Sequence, residues 1–171
     1  MKVLGVVGSP RKNGNTDILM DEIIKGAKVS GSKFEKIFLN DLEIKPCQAE
    51  CSDYCKKNGY CKINDDMAPL YDKLFESDII VLATPVYWYG PSAQLKTFID
   101  RWYALENEEG YLLSDKQLAL TFVYGDTDLY TSGGINAIHT FESLTRYIGM
   151  DLAGMVYGTA DQEGEVEKQP E

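Results

Sequence analysis

The chain has 171 residues, of which 44% are hydrophobic and 11% aromatic, so it can form one globular domain with a full core. Its formal net charge of -10 excludes a nucleic-acid backbone as the partner, because such binding needs Lys and Arg to neutralise phosphates. No apolar run approaches the roughly 20 residues that span a bilayer, and no signal-peptide pattern opens the chain, so we expect a cytoplasmic protein without a membrane partner.

Alternating strand and helix patterns run along the chain. The predicted strands are residues 2–7, 34–39, 78–84, 117–124 and 152–157. The predicted helices are residues 16–29, a segment capped by Asp65 or Asp66, a segment after Pro91, and a segment covering residues 134–149. This alternation predicts parallel strands joined by right-handed crossovers, and hence an α/β fold with a three-layer doubly wound sheet. Ligands of such sheets lie at the carboxyl ends of the strands.

The first loop, residues 8–16, follows a strand and opens a helix. It combines backbone N–H groups with polar side chains near the positive end of a helix dipole: Ser9, Arg11, Asn13, Asn15 and Thr16. The Walker pattern is absent, because five residues separate Gly8 from Gly14 and Asn15 stands in place of the Lys. The loop therefore predicts a site that holds a mononucleotide phosphate without cleaving it. The alternative is an ordinary turn with a helix cap.

A stiff aromatic turn follows the third strand. It consists of Pro85, Val86, Tyr87, Trp88, Tyr89 and Gly90, with Pro91 next. At the carboxyl edge of the sheet these residues would provide flat apolar walls and backbone amides for a planar heteroaromatic ring. A mononucleotide with a large ring is FMN. Alternatively, the aromatic side chains cover the sheet end or a subunit contact.

In order and spacing, residues 8–11, 14–16, 85–87 and 95–101 resemble the NAD(P)H-dependent FMN reductase family of flavodoxin-like proteins. The resemblance covers residues 1 to about 158, as a single FMN-binding domain with five parallel strands in the order 2-1-3-4-5. It implies that the first loop binds the FMN phosphate and that the aromatic turn lies along the isoalloxazine. A third loop would close the site through Tyr124 and Gly125. The resemblance also implies a homodimer or homotetramer.

Four cysteines lie in an insertion after the second strand, at residues 43–65: Cys47, Cys51, Cys55 and Cys61. With the Asp-Asp-Met that follows, they resemble the iron-sulfur flavoprotein branch of the family, which implies a 4Fe-4S cluster. Their spacing is wider than in that branch. In a helix, the rise from Cys47 to Cys55 of about 12 Å would be too long for one metal centre, whereas a loop lets the thiolates converge. A four-thiolate zinc site and cysteines without metal remain alternatives.

Two further expectations concern surface features. Lys96 and Asp100, four residues apart on the helix after Pro91, predict an exposed ion pair, and Arg101 is a candidate contact to a subunit partner. Residues 159–171 are rich in acidic residues and predict a loose tail.

The expected function is that of an FMN-dependent oxidoreductase. NAD(P)H would reduce the flavin, which would pass electrons to a quinone, a flavin, a metal or an Fe–S acceptor. No catalytic side chain is predicted, because the flavin carries the chemistry. One alternative is an iron-sulfur flavoprotein that exchanges electrons with ferredoxin and has no nicotinamide activity. Another is a flavin-binding module without enzymatic activity. The sequence predicts no preference between NADH and NADPH.

Overall fold

Five parallel strands form the centre of the computed structural model, which describes residues 1–49 and 52–169. They are β1 (Lys2–Val7), β2 (Lys33–Phe38), β3 (Ile79–Tyr87), β4 (Gln117–Tyr124) and β5 (Asp151–Thr159). Their order across the sheet is β2-β1-β3-β4-β5. This confirms the predicted doubly wound α/β fold and its strand order.

The helices are α1 (Asn15–Val29), α2 (Ser52–Asn58), α3 (Ala68–Glu76), α4 (Ala93–Asp100) and α5 (Gly134–Ile148). Helix α2 lies in the cysteine insertion and is not among the predicted helices. Helix α3 begins later than predicted, because Met67 occupies its N-cap position; Asp65 instead accepts a hydrogen bond from the Met67 N–H at 3.1 Å. A short hairpin pairs Glu106–Asn107 with Gly110–Tyr111. None of the described helices is long and apolar enough to cross a membrane.

The two faces of the sheet carry different layers, because successive side chains of a strand point in opposite directions. One face presents Leu4 and Leu82 to the buried sides of α3, α4 and α5. The other face presents Val7 and Ala83 to Met20 of α1. Val7 at the end of β1 and Val123 near the end of β4 are buried, so the loops that follow these strands begin from packed residues.

Strand β3 continues past its predicted end and turns back in a narrow hairpin. Val86 pairs with Pro91 and Tyr87 pairs with Gly90. The turn residues Trp88 and Tyr89 have φ angles of 47° and 67°, the left-handed region that a two-residue hairpin turn requires and that Asn and Gly usually occupy. Left-handed backbone costs a bulky residue about 1–2 kcal/mol. The aromatic turn is therefore a strained hairpin.

The acidic C-terminus is packed as far as residue 169, contrary to the expected loose tail, and residues 170 and 171 lie outside the described residues. We name residues 160–169 the C-terminal segment. It contains a short 3-10 helix, Glu165–Lys168, whose Val166 is buried. The Ala160 N–H also donates to the Tyr124 carbonyl at 2.8 Å. One apolar side chain and several backbone hydrogen bonds thus hold the segment, features that its acidic composition conceals.

Arg101 lies inside the protein, so the expectation of a subunit contact through this residue is wrong. Its Nη1 lies 2.6 Å from Asp65 Oδ2, with side-chain exposures of 0% and 2%. The same nitrogen donates to the Lys45 carbonyl at 2.8 Å. Arg101 thus joins α4 to both ends of the cysteine insertion. The predicted surface pair between Lys96 and Asp100 is confirmed, at 2.6 Å.

Candidate functional site

The first loop is held against the sheet by its opening glycine. The Gly8 N–H donates to the Ala83 carbonyl at 2.7 Å, and the Gly8 carbonyl accepts from the Ser92 hydroxyl at the same distance. A Cβ at Gly8 would lie 2.8 Å from both Ser92 Oγ and Leu95 Cβ. Only glycine therefore allows the loop to approach α4 this closely.

Ser92 is a positioning residue that the sequence reasoning missed. It is buried and is the N-cap of α4, where its hydroxyl oxygen accepts from the Leu95 N–H at 3.3 Å. Its own N–H donates to Thr84 Oγ1 at 3.0 Å. It thereby joins the first loop to the strand that leads into the aromatic hairpin. The sequence signal for this N-cap was a serine between Pro91 and a helical pattern.

The N-terminus of α1 faces a small cavity of about 100 Å³. Gly14 occupies the N-cap position and provides no side-chain hydrogen bond to the first N–H groups of the helix. The hydroxyl-bearing residues Ser9 and Thr16 are buried beside it, and Arg11 lies at the exposed rim. Uncapped helix amides, hydroxyls and a guanidinium are donors that fit a phosphate group.

A buried carboxylate, also missed from sequence, fixes the shape of this loop. Asp17 accepts from the Asn13 N–H at 2.8 Å and from Lys36 Nζ at 2.7 Å. Asn13 has a φ of 61°, so the loop turns sharply there. Burial by itself lowers the pKa of Lys36, but its hydrogen bonds to Asp17 and Asp21 raise that pKa above its ordinary value. Lys36 therefore remains charged and neutralises Asp17 beneath the loop.

The aromatic hairpin and the loop after β4 provide the other wall. Val86, Tyr87 and Gly125 line both the small cavity and a second, adjoining cavity of about 560 Å³. Trp88 and Tyr89 line only the second cavity. We call the small cavity the anion pocket and the wider second cavity, which has aromatic walls, the aromatic space. The two lie side by side. These are the two shapes that the phosphate and the flat ring of a flavin mononucleotide require.

Helix α5 holds the hairpin in place. The Asn136 side-chain amide donates to the Tyr89 carbonyl at 3.2 Å. Gly133, with a φ of 78°, lies so close that a Cβ there would be 2.7 Å from the Tyr89 Cα. The strained turn is thus held by contacts between Tyr89 and the start of α5. A larger residue at position 133 would prevent this close approach.

Tyr124 and Asp128 set the electrostatics of the third loop. Burial is the main cause that raises the pKa of Tyr124, so its phenol keeps its proton at neutral pH and can donate a hydrogen bond. Asp128 accepts from the N–H groups of Thr131 and Tyr130, which lower its pKa. The ionised Asp128 therefore orders the turn that leads into α5.

Most of the predicted site residues meet at this edge of the sheet. The predicted residues that line the small cavity are Ser9, Arg11, Asn15, Thr16, Pro85, Val86, Tyr87, Tyr124 and Gly125. Asn13 and Gly90 lie nearby in the loop and hairpin but are not among the described residues that line either cavity. Three further lining residues, Ala160, Asp161 and Glu163, come from the C-terminal segment and were not predicted.

The cysteine insertion lies on the α3 and α4 side of the sheet. Cys47 is in a coil, whereas Cys55 in α2 and Cys61 after it are buried in the core. The span from Cys47 to Cys55 is not one helix, because α2 begins at Ser52. Cys51 lies outside the described residues, and within residues 1–49 and 52–169 no three His, Cys, Asp or Glu side chains form a metal-binding group. The four-cysteine site therefore stays a prediction.

Comparisons with known proteins agree with this geometry. An iron-sulfur flavoprotein of Methanocaldococcus jannaschii is 44% identical over 101 residues, 59% of this chain and 51% of that protein. The provisionally named NAD(P)H-dependent FMN-containing oxidoreductase YwqN of Bacillus subtilis is 29% identical over 171 residues, 97% of this chain and 89% of that protein. The chain thus spans about half the length of the first relative.

Fold comparison gives the same result. The solved structure of Trp repressor binding protein from Bacillus subtilis matches with a TM-score of 0.71 and 27% identity, over 97% of this chain and 91% of that one. The family model of NADPH-dependent FMN reductase matches residues 1–157, from the first strand to near the end of β5. With the phosphate-type loop and aromatic hairpin at one sheet edge, this match shows that the chain belongs to the NADPH-dependent FMN reductase family.

Proposed function

We propose that the protein is an FMN-dependent oxidoreductase that is reduced by NAD(P)H and passes electrons to a separate acceptor. The observation that carries this proposal is that Val86, Tyr87 and Gly125 line both cavities. One ligand can therefore occupy the anion pocket and the aromatic space together. The family to which the chain belongs supports FMN as this ligand and NAD(P)H as its reductant.

The first loop would hold the phosphate end. Buried Ser9 and Thr16 offer hydroxyls, the first N–H groups of α1 offer the positive end of a helix dipole, and Arg11 offers charge at the rim. Without a Walker lysine, the pocket binds a phosphate and does not cleave it.

The hairpin and the third loop would hold the ring end. Val86 and Tyr87 supply apolar surface, and the protonated Tyr124 phenol supplies a donor. When bound, FMN supplies hydride and single-electron chemistry, so the chain itself needs only to bind, orient and shield the ring. Quinones, free flavins, metals and Fe–S centres are the acceptor classes that we propose.

The visible spectrum of the purified protein and its oxidation of NADH and NADPH test this proposal. We expect a yellow protein, or one that takes up added FMN, which oxidises at least one nicotinamide in the presence of a quinone. A colourless protein that takes up no FMN would refute the proposal.

A matched pair of variants tests the phosphate end. Ser9→Ala removes a buried hydroxyl from the pocket, and we expect the FMN dissociation constant to rise about tenfold, the effect of one lost hydrogen bond to a charged group. Ser30→Ala, at the other end of α1, is the control and should leave the constant unchanged. Equal constants for the two variants would contradict the assignment of the pocket.

The second candidate function is an electron carrier that exchanges electrons with ferredoxin through a 4Fe-4S cluster. Two of the four predicted ligands, Cys55 and Cys61, are buried and lie close enough to Tyr71 to contribute to its raised pKa, of which burial is the main cause. Iron and sulfide in stoichiometric amounts after anaerobic purification, with fast reduction by ferredoxin, would favour this function. Zinc without sulfide would instead favour the alternative of a four-thiolate zinc site.

We also propose that the protein forms a homodimer or homotetramer through the rim of the second cavity. Trp88 and Tyr89, at the turn of the hairpin, are 95% and 57% exposed. Large exposed aromatic side chains are typical of subunit contacts. Light scattering after size-exclusion chromatography should show an oligomer that Trp88→Ser weakens, and a monomeric wild-type protein would contradict this proposal.

A further inference from the structure

The C-terminal segment is tied directly to the first loop. The Asn15 side-chain amide donates to the Gln162 carbonyl at 2.7 Å, and its oxygen accepts from the Val166 N–H at 3.4 Å. Both ends of this amide are thus engaged by residues about 150 positions later in the chain. Asn15 therefore serves as the docking point of the segment as well as the first residue of α1.

The segment has a fixed shape where it crosses the loop. Glu165 accepts hydrogen bonds from the N–H groups of Asp161 and Gln162, at 2.8 and 3.0 Å. These two bonds lower the pKa of Glu165, so it remains ionised at neutral pH. Val166 anchors the segment in the core. The turn over residues 161–165 is therefore held from its own side and from α1.

This turn places two carboxylates at the anion pocket. Asp161 and Glu163 line the small cavity together with Ser9, Thr16 and Arg11. Asp161 lies against Gly125, where its Oδ1 is 2.7 Å from the position that a Cβ on that glycine would take. Arg11 is the one cationic side chain among the described residues that line this cavity. The side chains at the pocket therefore carry more negative than positive charge.

A phosphate in this pocket would meet opposing forces. The helix N-terminus, the hydroxyls and Arg11 attract it, whereas Asp161 and Glu163 repel it. In water, repulsion between two like unit charges 4–6 Å apart weakens binding by about threefold to fivefold. The uncharged hydroxyl that riboflavin carries in place of the phosphate escapes this repulsion.

We propose that Asp161 and Glu163 are specificity-determining residues that weaken the binding of the flavin phosphate, so that FMN is held as an exchangeable ligand. This inference rests on the proposed function, because it concerns the same flavin site. The net charge of -10 acts in the same direction, since it repels a dianion at longer range. Added salt screens both repulsions and should tighten FMN binding to the wild-type protein.

Titration of flavin fluorescence with FMN and with riboflavin tests this proposal, because the two ligands differ only in the phosphate. In the double variant Asp161→Asn with Glu163→Gln, we expect the FMN dissociation constant to fall about tenfold. The riboflavin dissociation constant should stay within about twofold of the wild-type value. Glu167→Gln, in the same segment but not among the described lining residues of the cavity, is the control and should change neither constant. Both substituted carboxylates are exposed, so the unfolding midpoint should not change.

The outcomes separate the two proposals. If wild-type protein binds flavin but the double variant leaves FMN affinity unchanged, or shifts FMN and riboflavin equally, the role of the two carboxylates is refuted while the proposed function stands. If wild-type protein binds neither flavin, the proposed function fails, and this inference fails with it. A selective gain for FMN that disappears at high salt is the result that supports the inference.

Discussion

Replacement of Asp65 by Asn should destabilise the protein more than any exposed charge change. The Asp65 carboxylate accepts two hydrogen bonds from Arg101, at 2.6 and 3.3 Å, and one each from the N–H groups of Lys45 and Met67. The substitution retains the shape of the side chain but leaves the Arg101 guanidinium buried without a counter-charge. Breaking such a pair costs about 3–5 kcal/mol of unfolding free energy.

Urea unfolding and thermal unfolding, both followed by far-ultraviolet circular dichroism, measure this cost. For a chain of this size we expect the melting temperature to fall by about 6–20 °C, because each kcal/mol shifts it by about 2–4 °C. Asp100→Asn is the matched control, since Asp100 is the neighbour of Arg101 in the chain and its ion pair with Lys96 is half-exposed. That control should cost about 0.5 kcal/mol or less.

The combination of Asp65→Asn with Arg101→Met tests the physical reason. Removal of both charges leaves no unpaired buried ion. The double variant should therefore lose less unfolding free energy than the two single variants together, by about 2 kcal/mol or more. Additive losses, or a loss below about 1 kcal/mol for Asp65→Asn alone, would refute the argument that this buried charge needs its partner.

Two further predictions concern the first loop and acid stability. Gly8→Ala should cost about 1–3 kcal/mol in urea unfolding and weaken FMN binding, because its Cβ would meet Ser92 and Leu95, whereas Gly26→Ala, with open space around it, should be neutral or stabilising. Burial alone raises the pKa of Asp65, but the hydrogen bonds from Arg101 and two backbone N–H groups hold it below its ordinary value. Its contribution to stability is therefore complete above about pH 4 and is lost as the pH falls through the lowered folded-state pKa. The unfolding free energy of wild-type protein should then fall more steeply below about pH 4 than that of Asp65→Asn, and parallel curves would contradict this.

The fold could be predicted because its information is local. The three central strands, β1, β3 and β4, are mostly buried and contain apolar runs, whereas the edge strands β2 and β5 are partly exposed. The helices show their own periodicity. A sheet built from such alternating units has few allowed topologies, and the resemblance to flavodoxin-like proteins indicated which strand order to expect among them. The end of β3 differs from the prediction because the hairpin turn at Trp88 and Tyr89 has a left-handed backbone, which no propensity of Trp or Tyr indicates.

The residues of the candidate site were found where the signal lay within one loop. Ser9, Thr16 and Tyr87 belong to loops that follow strands, and parallel strands bring those loops to one edge. Asp17 and Ser92 were missed because their role is to hold other groups in place, through hydrogen bonds to a neighbouring loop or strand. Such support depends on which elements lie side by side in the folded protein.

By itself, the sequence determined the doubly wound sheet, and it predicted the sheet edge for ligand binding and the anionic and aromatic character of the ligand. Only the tertiary structure decided which distant charges meet: Arg101 with Asp65, and Asp161 and Glu163 with the first loop. The physical reason is that periodicity and turn chemistry act between near neighbours in the chain. Pairing and repulsion between charges depend on separation in space, which the packing of Val166 and the burial of Arg101 establish only after the chain has folded.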